Sequence, residues 1–144
     1  MNLLIKSARI IDPNSKHHNK IMDVFIKDGE IEKISKSIKS CKESVDAGKE
    51  IEFSDKNLHL STGWMDMHSN FREPGFEYKD DLKTGIQSAI KGGFTSVLLM
   101  PQTEPIIDSK SHVEYIKNNT RGGVVDVHTS SAVTKNMEGN NLVE

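Results

Sequence analysis

The residues best suited to chemistry lie in one short stretch, Gly63-Trp64-Met65-Asp66-Met67-His68-Ser69-Asn70-Phe71-Arg72-Glu73-Pro74-Gly75. An apolar run ends at His68, and a second metal-capable side chain, Asn70, follows two residues on. Along a β-strand, residues i and i+2 project to the same side. The spacing therefore predicts that His68 and Asn70 point together, with Arg72 next on that face as far as the extended conformation lasts. Imidazole nitrogen is a preferred zinc donor, and an amide oxygen is a poorer one. The chemistry open to this stretch is a metal half-site with one strong donor, beside a guanidinium suited to a carboxylate. Taken alone, His68 reads more simply as an inert strand-end histidine, and Arg72 as a surface ion-pair partner.

The elements that must position these side chains fall into two groups. In the first, Leu3 to Ile11 is strand-like and stops at the turn formers Asp12-Pro13-Asn14-Ser15. Val24-Phe25-Ile26-Lys27 and Ile31-Glu32-Lys33-Ile34 flank Asp28-Gly29, a type I′ hairpin signal. Residues 35–48 read as a polar surface excursion, and the Lys/Ser stretch from Lys33 to Lys42 as a solvated loop. Ile51-Glu52-Phe53 and Leu58-His59-Leu60 alternate as half-buried strands should. Residues 1–60 are expected to form a small β-rich domain.

The second group, residues 61–144, changes rhythm. After the strand candidate Trp64 to His68, residues Lys79 to Lys91 place Leu82, Ile86, Ala89 and Ile90 on one helical face. Gly92-Gly93 stands where a C-terminal cap is expected, and Gly85 inside the helix allows close packing at a propensity cost of about 1 kcal/mol. Phe94 to Met100 has the nearly continuous apolar character of a buried parallel strand. Ser109 is placed to cap a helix through Asn118 with Val113 and Ile116 inward, and Val124 to Val127 makes one more strand. Strand, helix, strand, helix, strand predicts a parallel α/β sheet. In such sheets ligands gather at the carboxyl ends of the strands, where His68, Asn70, Arg72, Gln102 and Thr103 fall. Met65, Met67 and Met100 are expected to fill the core. His17 and His18 are expected to be solvated, and His59, His112 and His128 to be ordinary.

Composition narrows the function class. The 144 residues carry 19 Lys and Arg against 21 Asp and Glu, a net charge of −2, which argues against a polyanion-binding surface and so against nucleic acid. The mean hydropathy of −0.52 is low for a fold that buries both faces of a sheet. The single Cys41 excludes an internal disulfide, fits a reducing compartment and reads as an exposed bystander. The N-terminus lacks signal-peptide character, and no run nears the ~20 apolar residues of a membrane span. A cytoplasmic, soluble protein is expected.

The stretch Asp66-Met67-His68-Ser69-Asn70-Phe71-Arg72-Glu73-Pro74-Gly75 resembles the signature of dihydroorotases, in the amidohydrolase superfamily. The similarity continues in order through Glu77-Tyr78-Lys79-Asp80-Asp81, Thr84-Gly85, Gly92-Gly93-Phe94-Thr95, Met100-Pro101-Gln102-Thr103-Glu104-Pro105-Ile106-Ile107-Asp108, Ala132-Val133-Thr134-Lys135 and Glu138-Gly139. The resemblance implies the N-terminal part of a (β/α)8 barrel with a small β-rich domain. The barrel is incomplete in this chain, because a whole one needs about 200 residues or more.

The resemblance also implies a zinc-dependent interconversion of N-carbamoyl-L-aspartate and dihydroorotate in pyrimidine biosynthesis. His68 falls on the first histidine of the family's metal-binding pair, and Asn70 departs from the second. Arg72 falls on the arginine that holds the substrate carboxylate. Gln102 falls on an asparagine with the same role, with a reach one methylene longer. The catalytic residues are expected beyond Glu144, so these 144 residues alone are expected to be inactive. Two other readings stay open: a non-catalytic homologue serving as structural partner of aspartate transcarbamoylase, and a hydantoinase or allantoinase type of cyclic-amide hydrolase. An unpaired parallel edge predicts self-association into a homo-oligomer.

Overall fold

Apolar side chains at Ile5, Ala8 and Ile10 turn into one core along the first strand, β1 (Asn2–Ile11). The computed structural model describes residues 2–39 and 50–143; Cys41, residues 40–48 of the polar excursion and Glu144 lie outside them. The described chain forms two compact units, residues 1–62 and 63–144.

In the first unit β1 joins β2 (Ile21–Lys27), β3 (Glu30–Ser35), β4 (Glu50–Ser54) and β5 (His59–Ser61) in a five-stranded sheet. Asp28 and Gly29 take φ of 49° and 89°, the two left-handed positions that a type I′ turn requires. β1 bulges at Ser7, φ 53°, and its register to β2 shifts between Ile5 and Ala8. Before the bulge β1 pairs in parallel with β4, and after it with β5. A bulge frees a backbone amide from the ladder, and Asp23, only 2% exposed, accepts that of Ser7 at 2.9 Å. The same carboxylate takes the Ile38 amide at 2.9 Å and the Lys6 ammonium. Burial alone would raise the Asp23 pKa, but the Lys6, Ser7 and Ile38 donors outweigh it and hold the carboxyl below its ordinary value.

Several expectations for this unit fail. Lys33 to Ser35 close β3 and Ile38 is buried instead of lying in a solvated loop, because Asp23 draws in the Ile38 amide. Ile51 and Phe53 are 42% and 50% exposed instead of half-buried, because β4 lies at the edge of the sheet and no described layer covers it. His17 and His18 are half-buried, with His18 Nδ1 shielded, because the turn folds back and Asn19 donates to the Ile10 carbonyl at 2.8 Å.

The second unit is a parallel three-stranded sheet, β6 (Trp64–Ser69), β7 (Phe94–Leu99) and β8 (Asp126–Thr129), in that spatial order. Helices α1 (Leu82–Gly92) and α2 (Lys110–Thr120) connect the strands. Helix α1 begins three residues later than the periodicity predicts, because Asp81 makes a capping box with Thr84; its carboxylate accepts the Thr84 amide at 2.7 Å. Gly93, φ 79°, ends the helix in the left-handed conformation. Ser109 caps α2 as expected. Leu82, Ala89, Val97, Leu99, Ile107, Ile116 and Val125 form the core with Phe71.

Gly85 is buried against Phe71, and a Cβ there would lie 2.4 Å from the ring. Ile90, expected to face inward, is 38% exposed. The last strand starts at Asp126, two residues later than expected, and leaves Val124 83% exposed. Met65 and Met67 are 44% and 69% exposed instead of buried, and Met100 is half-buried. Val97 and Leu99 face the helices, whereas Met65 and Met67 project from the opposite side of the sheet, which no described layer covers.

Candidate functional site

The carboxyl end of β6 is not a regular strand. Asp66 pairs with Val97 and Ser69 with Leu99, so Met67 and His68 together stand opposite Leu98. Two residues against one is a β-bulge, which leaves an amide without a ladder partner. Asp66 supplies one: its Oδ1 accepts the His68 amide at 2.9 Å, and its Oδ2 accepts the Ser69 hydroxyl at 2.7 Å. The Ser69 hydroxyl first, and the His68 amide second, lower the Asp66 pKa. His68 is exposed, Ser69 buried and Asn70 half-buried.

The extended backbone stops at Ser69, so Arg72 is not reached by strand alternation. It sits in the following turn with φ 64°, and its carbonyl accepts the Phe76 amide at 3.0 Å. The Phe76 carbonyl in turn accepts the Lys79 amide at 2.8 Å. Glu73, to which the sequence reading gave no role of its own, anchors this loop. Its Oε2 accepts the Leu82 amide at the start of α1, at 2.8 Å, and its Oε1 accepts the Tyr115 hydroxyl of α2, at 2.7 Å. That hydrogen bond, followed by burial and the Glu73 charge, raises the Tyr115 pKa.

The loop after β7 closes against this one. The Glu104 amide donates to the Pro74 carbonyl at 3.0 Å, and Gly75, φ 95°, lies so near that a Cβ would sit 2.1 Å from the Glu104 carbonyl oxygen. The interlock brings Arg72 and Gln102 to one shallow cavity of about 340 Å³, shared with Phe76, Lys79, Thr103, Glu104, Ile106 and Met137. Neither the Arg72 guanidinium nor the Gln102 amide has a hydrogen-bond partner among the described residues. A larger cavity, about 580 Å³, is lined by Arg121 to Gly123, Val125 to His128 and the end of α2. It opens around the amino end of β8, the end of a parallel sheet where ligands seldom bind.

His68 and Asn70 are not among the residues lining the Arg72 cavity. Together they offer one imidazole and one amide oxygen. Among the described residues no three His, Cys, Asp or Glu side chains converge on a point that could hold a metal. Zinc asks for more strong donors than that, so the residues present do not make a zinc site by themselves. His59 and His128 are exposed, and His112 Nδ1 lies 3.4 Å from Asp108.

Parallel strands joined by helices, with Arg72 and Gln102 converging where the strands end, are the opening β/α units of a (β/α) barrel. Solved structures share that fold: L-hydantoinase from Arthrobacter aurescens superposes with a TM-score of 0.73 at 20% identity, over 96% of this chain and 28% of its own. A D-hydantoinase gives 0.72 at 22% identity, over 93% of this chain and 28% of its own.

The family model described as Dihydro-orotase-like matches residues 58–144, and the chain belongs to that family. The dihydroorotases of Clostridioides difficile and Acetivibrio thermocellus are 38% and 39% identical, each over 99% of this chain. That of Geobacter sp. strain M21 is 40% identical over the whole chain. The chain spans 32% of the length of each of these relatives. No helix among the described residues is long and apolar enough to cross a membrane.

Proposed function

We propose that this chain carries the carboxylate-recognition elements of a dihydroorotase, a cytoplasmic enzyme that interconverts N-carbamoyl-L-aspartate and dihydroorotate in pyrimidine biosynthesis. The observation that carries the reading is the convergence of Arg72 and Gln102, from loops after different strands, on one cavity with their donors unspent. A guanidinium presents two parallel N–H donors that match a carboxylate, and the Gln102 amide adds a neutral donor beside it.

His68 is the metal ligand that this chain contributes to the whole protein, with Asp66 holding its backbone. Asn70 stands at the second ligand position, and the remaining ligands and catalytic groups come from the rest of the barrel. These 144 residues alone are inactive. A second reading, a non-catalytic homologue that supports aspartate transcarbamoylase, is favoured specifically by Asn70, which takes a strong donor out of the motif. Cyclisation of N-carbamoyl-L-aspartate by the whole protein separates the two.

The test is calorimetric titration of the chain with N-carbamoyl-L-aspartate. Replacing one partner of a charged hydrogen bond costs roughly 1.5–3 kcal/mol, so Arg72→Gln should weaken binding about tenfold or more. Gln102→Ala should weaken it several-fold. Equal affinity of wild type and Arg72→Gln would remove the basis of the reading.

A further inference from the structure

The cavity that holds Arg72 and Gln102 has one wall from outside their two loops: Met137, from the turn at residues 134–139. The backbone there is strained, because Asn136 and Met137 both take left-handed conformations, φ 51° and 59°. Asparagine tolerates that region, but methionine enters it only where the surroundings enforce it. Within the segment, the Met137 amide donates to the Thr134 carbonyl at 3.0 Å, and the Gly139 amide to Thr134 Oγ1 at 3.0 Å. One further hydrogen bond reaches out of it: the Asn136 amide donates to Asp108 Oδ2 at 3.0 Å. Asp108 follows the loop that carries Gln102 and Ile106, and its other oxygen faces His112 Nδ1 of α2 at 3.4 Å. The carboxylate thus ties the strained turn to the loop that lines the cavity.

We propose that Asp108 is a positioning residue for ligand binding at the Arg72 cavity, holding the turn in the left-handed geometry that sets Met137 as a wall beside Arg72 and Gln102. Asp108 is not among the residues lining the cavity and acts through Met137 alone. Met137 supplies an apolar surface that covers the ligand's carbon skeleton and keeps water from the guanidinium–carboxylate contact, which strengthens it. Without the Asp108 oxygen the turn relaxes out of the left-handed region and the wall withdraws. The inference rests on the carboxylate reading of Arg72.

The test is a double-mutant cycle, read as the affinity of the full chain for N-carbamoyl-L-aspartate. Asp108→Ala and Met137→Ala should each weaken binding about three- to tenfold, the loss expected for one apolar wall. The double variant should bind no more weakly than the weaker single variant, because both changes remove the same wall. Asp108→Asn keeps an acceptor oxygen for the Asn136 amide and should bind like wild type. Multiplying losses in the double variant, or an Asp108→Asn as weak as Asp108→Ala, would overturn the role of Asp108; if Arg72→Gln still weakened binding, the carboxylate reading would stand. If Arg72→Gln left the affinity unchanged, that reading and this inference would fall together.

Discussion

The Tyr115 hydroxyl donates to Glu73 Oε1 at 2.7 Å, so α2 holds the residue next to Arg72 in place. Glu73 also receives the Leu82 amide, which makes it the common anchor of the Arg72 loop and of both helices. Tyr115→Phe removes one exposed hydrogen bond and should cost about 0.5–1 kcal/mol in chemical denaturation. Glu73→Ala also leaves the helix amide without its acceptor and should cost about twice as much. Both variants should weaken ligand binding through the loop without changing any ligand contact. An unchanged denaturation midpoint in Glu73→Ala would show that the anchor contributes nothing.

Gly85→Ala sets two effects against each other. Alanine improves helix propensity by about 1 kcal/mol. Its Cβ, however, would lie 2.4 Å from the buried Phe71 ring, and overpacking of that kind costs about 1–3 kcal/mol. The clash should win, so thermal unfolding should shift to lower temperature. A more stable variant would mean that Phe71 moves aside freely.

Asp23 predicts an acid-side loss of stability in the first unit. Its pKa is depressed in the folded chain, from an ordinary value of 3.8. Its contribution is therefore complete above that value and disappears as pH falls through the lower, folded pKa. Asp23→Asn leaves Lys6 without its counter-charge and should cost about 2–4 kcal/mol at pH 7. The gap between the variant and wild type should narrow on acidification below about pH 4. Urea denaturation at pH 7 and pH 3 measures both, and a gap independent of pH would contradict the assignment.

Much of this fold is legible in the residues themselves. Asp28-Gly29 announces its hairpin, the Gly92-Gly93 stop ends α1 where it should, and Ser109 caps α2, because each of these is a local choice of backbone conformation. The bulges at Ser7 and at Met67–His68 are not legible. A bulge depends on which carboxylate lies nearby to take the freed amide, and Asp23 and Asp66 look like ordinary polar residues in the sequence. The exposed Met65, Met67, Ile51 and Phe53 misled for a related reason: alternation marks an apolar face without saying what covers it. Arg72 and Gln102 could be picked out by resemblance, but their shared cavity depends on the Gly75–Glu104 interlock, which joins residues about thirty positions apart.

Asn70 gives a prediction for metal content. With one imidazole and one amide at the half-site, the wild-type chain should retain zinc only sub-stoichiometrically after dialysis. Asn70→His should retain more, because it restores a preferred donor beside His68. Elemental analysis of both proteins decides it, and full occupancy in wild type would show that Asn70 is no impediment.

The most direct test of the central claim is NMR mapping of N-carbamoyl-L-aspartate on the isotopically labelled chain. The Arg72 guanidinium and the Gln102 side-chain amide should shift together and saturably, while the signals around the larger cavity, from Lys117 to Val127, stay still. Shifts confined to that larger cavity, with Arg72 and Gln102 unmoved, would contradict the account.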